Sequence, residues 1–164
     1  DGEKAKEALD ILSRSCLGQN LFTYHNDWRK MGVTLPVTWG RTPPFQMDAN
    51  FGFTAAVTEM LCGSDVNMLR ILPALPSEWK TGEFHDMLTR VGVKTSVAWD
   101  MEKKEITISL FAERDTSFDI KFSEEMESIE SSSIDILKES KYGNNYRNLS
   151  LYKGQEINLA VKLK

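Results

Sequence analysis

The chain has 164 residues, a formal charge of −4 and a pI near 5.3. The acidic balance gives no electrostatic footprint for nucleic acid, and no apolar run approaches the roughly eighteen residues that span a membrane. A hydrophobic content of 41% with 27% charged residues is that of an ordinary globular chain, long enough to bury a core in one or two small domains.

The chain opens on Asp1 and enters at once a helical pattern, with Ala5, Leu9, Leu12 and Cys16 on one face. Such a stripe needs a partner surface. Together with the absence of an initial Met, it points to a fragment or an excised piece of a longer protein. Gly18-Gln19-Asn20 is the expected glycine-containing cap of this helix. Residues 21–42 then read as a long loop carrying Phe22, Tyr24, His25, Asp27, Trp28, Trp39 and several turn residues. A loop of that length is usually functional or disordered, and its aromatic content argues against disorder.

The stretch Pro43-Pro44-Phe45-Gln46-Met47-Asp48-Ala49-Asn50-Phe51-Gly52 follows. The prolines enforce extended backbone ahead of it. Phe53, Ala56, Val57, Met60 and Leu61 then repeat at helical spacing. Asp48 and Asn50 therefore sit where a loop becomes a helix, close to unpaired backbone N–H groups. From residue types alone two roles are open for them, helix capping and chemistry at the helix mouth.

Pro73, Pro76 and Gly82 interrupt regular structure and mark a boundary. Beyond it the hydrophobic period becomes two. Val91, Val93, Val97 and Trp99, then Ile106, Ile108 and Leu110, read as a hairpin over residues 91–110. Phe118, Ile120 and Phe122 give another strand, and Ile157, Leu159, Val161 and Leu163 the last. Ile129, Ile134, Ile136 and Leu137, in an acidic serine-rich stretch, read as short edge strands, and Gly143-Asn144-Asn145 as a turn. The expected fold class is α+β: a helical segment over 1–82 and an antiparallel β-sandwich-like domain over 83–164.

The motif at 43–52, continued by Thr54 to Leu61, resembles the PPFQ-[IM]-D-[GA]-NFG signature of the α-L-fucosidases of glycoside hydrolase family 95. Ile71-Leu72-Pro73-Ala74-Leu75-Pro76-Ser77-Glu78-Trp79-Lys80-Thr81-Gly82 is similar to that family's LLPALPxxWxxG segment. The two blocks cover residues 43–82; the strands beyond match only in general character. The resemblance implies the end of an (α/α)₆ barrel followed by a C-terminal β-domain. It also implies an inverting exo-glycosidase acting on terminal α-L-fucosides of glycans. In that family a glutamic acid protonates the leaving group, asparagine amides hold the water, and the motif aspartate polarises them. The matching aspartate is Asp48. The acid and those asparagines belong to segments that precede this chain, so the chain alone is expected to be inactive.

Asn50 then either supports the loop or touches the sugar, and Trp39 and Phe45 are candidate stacking surfaces for it. Two departures bear on specificity. Thr42 stands where many members have histidine, which leaves fucose against L-galactose open. Ala49 stands where many have glycine, a mild change only if its φ is negative.

The remaining candidates read as structural. His25 and His85 are lone histidines in turn-rich surroundings, Glu124, Glu125 and Glu127 form a solvated charge run, and Trp79 and Trp99 suit a hinge and a sandwich core. Cys16 and Cys62 fall on expected helices as buried thiols, and with only two histidines and no CxxC no metal or cofactor is expected. The expected partners are carbohydrate and the rest of a parent enzyme, or a second copy of the chain. The alternatives are a non-catalytic carbohydrate-binding module and a structural accessory domain. A row of exposed aromatics on the strands would favour the former, but Trp99, Phe118 and Phe122 share the register of the apolar stripe.

Overall fold

The computed structural model describes residues 1–25, 29, 44–133 and 136–164. Helix α1 spans Gly2–Cys16, and the side chain of Asp1 caps it by accepting the Lys4 N–H at 3.2 Å. It ends at Leu17 in extended backbone, before the expected glycine cap. Gly18 instead opens a tight turn, donating to Phe22 O at 2.8 Å and accepting from Leu21 N at 3.0 Å. Leu21, with φ 64°, supplies the left-handed residue that the glycine was expected to supply.

Helix α2 spans Met47–Leu61 and runs directly into strand β1, Cys62–Ser64. Strand β2, Met68–Ile71, returns antiparallel to β1. Two bonds tie the outgoing chain back to the end of α2: Leu72 N to Leu61 O at 2.9 Å, and Ala74 N to Met60 O at 3.1 Å. Residues 62–72 were expected to be helix or loop. The β structure starts there because Leu69, Ile71 and Leu72 are wholly buried against the sheets, a burial that outweighs local propensity. Cys62 is accordingly a strand residue.

The strands that follow are β3 (Thr81–Leu88), β4 (Val93–Asp100), β5 (Glu105–Ala112), β6 (Thr116–Phe122) and β7 (Met126–Ser131). The last three are β8 (Leu137–Glu139), β9 (Tyr146–Leu151) and β10 (Glu156–Leu163). They form two five-stranded sheets, in the orders β1-β2-β6-β9-β8 and β3-β4-β5-β10-β7. All pairings are antiparallel except β2 with β6.

The hairpin expected at 91–110 is β4–β5, in register from Val93↔Ala112 to Asp100↔Glu105. Asp100 Oδ1 shapes its tip by accepting the N–H groups of Glu102 and Lys103, each at 3.1 Å. β7 and β8 are edge strands as expected. β3 and β9 had not been anticipated. β3 is an exposed edge with a bulge between Phe84 and Met87 and a left-handed Asp86, so its alternation is broken. In β9 only Leu149 and Leu151 mark the buried face.

The inward faces of the sheets close one core. Leu69, Ile71, Phe118, Ile120, Phe122 and Leu149 of the first sheet meet Val93, Val97, Ile106, Leu110, Ile157 and Leu159 of the second. Trp99 closes one end, its Nε1–H donating to Trp79 O at 2.8 Å. Gly82 lies so close under this ring that a Cβ there would strike it.

The helices have no comparable core: among the described residues of 1–61 the buried apolar side chains are Cys16 and Met60. α1 is held to the 73–80 segment by polar contacts at its first turns. Glu3 Oε1 accepts the Ser77 N–H at 2.6 Å, Lys6 Nζ lies 2.6 Å from Asp10 Oδ2 and 3.0 Å from Glu78 Oε1, and Gly2 abuts the Leu75 carbonyl.

These contacts set a pH window for α1. The Ser77 backbone N–H holds the Glu3 carboxyl below its ordinary pKa, and the Lys6 ammonium does the same for Asp10. Asp10 and then Glu78 push Lys6 above its ordinary value. Lowered carboxyl values mean a contribution that is complete above the ordinary carboxylate range and lost as pH falls through the lowered values. The raised lysine contributes below its ordinary range and loses that contribution as pH rises through the raised value. Amide exchange across α1 should therefore accelerate below about pH 4 while the amides of β4 and β5 stay protected. Equal acid sensitivity of both regions would contradict the polar attachment of α1.

Candidate active site

The described part of the motif begins at an isolated β-bridge, Tyr24 with Phe45, and ends as a helix. Thr23–His25 pairs with Pro44–Gln46, His25 N donating to Pro44 O at 2.8 Å and Gln46 N to Thr23 O at 2.7 Å. Tyr24 N also donates to Cys16 O at 2.8 Å, so this short segment joins the end of α1 to the entry of α2. Gln46 remains extended, with φ −124° and ψ 101°, and is the N-cap residue of α2 without a side-chain cap bond. Asp48 and Asn50 both lie beyond the cap, within the first turn. Neither is the capping residue.

Asp48 is exposed, and its carboxylate makes no hydrogen bond or ion pair among the described residues. A negative charge in the first turn is favoured by the helix dipole and leaves both oxygens open to an incoming donor. Ala49 is helical, without the positive φ that would have required glycine.

Asn50 is committed on both heads of its amide. Oδ1 accepts the Thr23 N–H at 2.8 Å, and Nδ2 donates to Leu21 O at 2.6 Å. Of the two roles open to it, ordering the loop is the one for which these bonds are made. Phe45 is 58% exposed and stacks on Phe22 with ring centroids 5.4 Å apart. Trp39 lies outside the described residues, as do Trp28 and Thr42.

Of the other candidates, His25 is at this junction through its backbone bond to Pro44, whereas His85 and Glu59 lie elsewhere. His85 is an exposed residue of β3, with Nε2 3.5 Å from Glu83. Glu59 is at the far end of α2, 4.0 Å from Arg90. Cys62 is buried, and that burial, followed by the charge of Glu59, pushes its thiol up to about 12, so it is not a thiolate at neutral pH. No group of metal-ligating side chains occurs among the described residues, and no helix among them is long and apolar enough to cross a membrane.

Two concavities flank these elements. A groove of about 560 Å³ separates α1 from α2, lined by Leu9, Leu12, Ala49, Phe53, Ala56 and Met60. It receives the apolar stripe of α1 without burying it. A trough of about 590 Å³ crosses the outer face of the second sheet, over Ser96, Ala98, Thr107, Ser109, Asn158 and Ala160. No Phe, Tyr or Trp lines it; the ring in its lining is the imidazole of His85.

From Asp48 to Cys62 the helix rises roughly 20 Å at 1.5 Å per residue, so β1 starts at the opposite end of α2 from the carboxylate. What sequence reasoning missed here is the stapling of Asn50 to residues 21–23. The pairing spans 27 and 29 residues of chain, and no local pattern announces it.

Comparison with known proteins divides the chain at nearly the same point as the secondary structure. Residues 1–61 match the glycosyl hydrolase family 95 catalytic domain, and residues 63–159 match the glycoside hydrolase family 95 C-terminal domain. Alpha-L-fucosidase 2 of Arabidopsis thaliana is 47% identical over 73 residues, which is 44% of this chain and 8% of that protein. Probable alpha-fucosidase A of Aspergillus oryzae is 35% identical over 75 residues, 38% of this chain and 10% of that protein. The chain thus spans about a tenth or less of the length of these curated relatives.

Proposed function

The chain belongs to glycoside hydrolase family 95, and we propose that it is the part of an inverting exo-α-L-fucosidase that carries the motif aspartate, Asp48. The observation that carries this reading is the open carboxylate in the first turn of α2, within the segment matched to the catalytic domain. The similarity to an alpha-L-fucosidase and to a probable alpha-fucosidase supports the sugar.

Inversion at an anomeric carbon requires a water on the face opposite the leaving group. As the C–O bond to the aglycone breaks, a water oxygen bonds to C1, one proton leaves that water, and another reaches the departing oxygen from a general acid. An exposed carboxylate with both oxygens free can accept hydrogen bonds from amide side chains and so orient and polarise groups that hold the water. Asp48 performs that task in this proposal. Phe45 and Trp39 offer apolar surface to the C–H face of the sugar.

The general acid comes from outside this chain. No carboxylate among the described residues is paired with Asp48 across a shared site, and the start of β1 lies roughly 20 Å along α2 from it. The thinly buried helices support the same division. Leu21, Phe22, Phe45, Met47 and Phe51 are all at least 40% exposed, an apolar surface that calls for a covering partner. Further helices of the parent enzyme cover it there, and a second copy of the chain does so when it stands alone. The helical segment contributes to the sugar site, and the β-domain supports the helix from behind. A purely structural accessory role would leave Asp48 without a task.

Replacing Asp48→Asn in the full-length protein should lower kcat on an aryl α-L-fucoside by about two or more orders of magnitude, the scale for loss of a positioned base. An unchanged kcat would remove Asp48 from the chemistry. The purified 164-residue chain should release no aryl leaving group from the same substrate, because protonation of the leaving oxygen is missing. Turnover by the isolated chain would place the acid within it and contradict the division of labour.

A further inference from the structure

Asp48 and Asn50 are two positions apart on one helix, so their side chains leave the axis about 200° apart at 3.6 residues per turn. Between them runs the line of Ala49, Phe53, Ala56 and Met60 that faces α1. The aspartate and the asparagine therefore flank the α1-facing surface on opposite sides. Asp48 is free, whereas Asn50 is fixed at both amide heads.

Within this chain α2 is anchored at its Met60 end, where it runs into β1, and its first turn is held by other contacts. Most of the side chains lining the α1–α2 groove are incompletely buried, Met60 at the far end being the exception. The fixed points at the motif end are polar: the Gln46 N–H on Thr23 O at 2.7 Å, and the two bonds of Asn50 at 2.8 and 2.6 Å. The backbone bond constrains the chain before the helix. The bonds of Asn50 constrain the helix itself, one acting as acceptor and one as donor. Such a pair defines a direction, not merely a distance.

From this geometry, and resting on the proposed role of Asp48, we propose that Asn50 is a positioning residue for it. By clamping one side of the first turn of α2 to Leu21 and Thr23, the Asn50 amide fixes the orientation of that turn. That orientation determines where the Asp48 carboxylate points. The D-x-N spacing is then a mechanical unit: the asparagine keys the helix into the residue 21–25 segment, and the aspartate is the side chain aimed by the key. Asn50 touches neither sugar nor water in this arrangement.

The test is a double-mutant cycle in the full-length protein, with an aryl α-L-fucoside as substrate and thermal melting to confirm folding. Asn50→Ala should lower kcat by roughly 10- to 100-fold, the scale of a misplacement of about 1 Å, while KM stays within about threefold. On an Asp48→Asn background the same substitution should lower kcat by less than about threefold, because there is no longer a carboxylate to aim. Asn50→Asp, of nearly the same volume, keeps an acceptor for Thr23 N–H but repels the Leu21 carbonyl. It should show a kcat loss of the same kind if Asn50→Ala does not fold.

Three results would overturn the proposal. One is unchanged kcat in a folded Asn50 variant. Another is a raised KM with kcat preserved, which would make Asn50 a sugar contact. The third is an equal loss of kcat in both backgrounds, which would make its effect independent of Asp48. If Asp48→Asn alone leaves kcat intact, the proposed role of Asp48 fails, and with it the object that Asn50 was to position.

Discussion

The direct passage of α2 into β1 at Cys62 is the constraint on which the placement of the motif depends. No linker separates helix from sheet, and Leu72 and Ala74 pair back onto Leu61 and Met60. The sandwich can hold a helix in this way because its own core is closed. Phe118, Phe122, Leu69, Ile71 and Leu110 are all at most 1% exposed, and truncating such side chains costs about 2–5 kcal/mol each. The helices carry no such reserve. Among the described residues their stability comes from the sheet through Met60 and from the polar contacts of α1 with residues 77 and 78.

That asymmetry suits a site assembled from several segments. A carboxylate that must act on a group held by another part of the protein has to be presented at a fixed distance from a rigid body, and its immediate surroundings have to stay open. α2 meets both requirements, with its C-terminal end built into a sheet and its N-terminal turn exposed. The two exposed rings at the entry, Phe22 and Phe45, stack on each other at 5.4 Å and so hold an apolar surface in place beside that turn. The outer trough of the second sheet has no Phe, Tyr or Trp in its lining.

Much of this was legible in the sequence, for identifiable reasons. The β4–β5 hairpin and β10 alternate cleanly because one face is buried and the other exposed or half-exposed, and the period of two follows from that. The helix after the motif was visible from Phe53, Ala56, Val57, Met60 and Leu61. Strands β1 and β2 were not, since Cys62–Ser64 is too short to show a period and Met68–Ile71 carries Arg70 in its midst. β3 hid behind a bulge and a left-handed Asp86. At the site, the place of Asp48 near a helix mouth was readable, but its relation to Gln46 was not: the cap falls two residues before Asp48 and four before Asn50. The bonds of Asn50 to Leu21 and Thr23 are long-range, and nothing in residue types distinguishes them from a sugar contact. Trp39 lies outside the described residues, so its part in the site stays with the reading from sequence.

In the proposed reaction the glycosidase inverts, the motif carboxylate acting through the groups that hold the water and not on the sugar carbon. The most direct measurement is ¹H NMR of the first fucose released from an aryl α-L-fucoside by the full-length protein, recorded before mutarotation scrambles the anomers. The account predicts β-L-fucose as the initial product. Initial release of α-L-fucose would mean two displacements through a covalent intermediate, and would contradict the role given to Asp48.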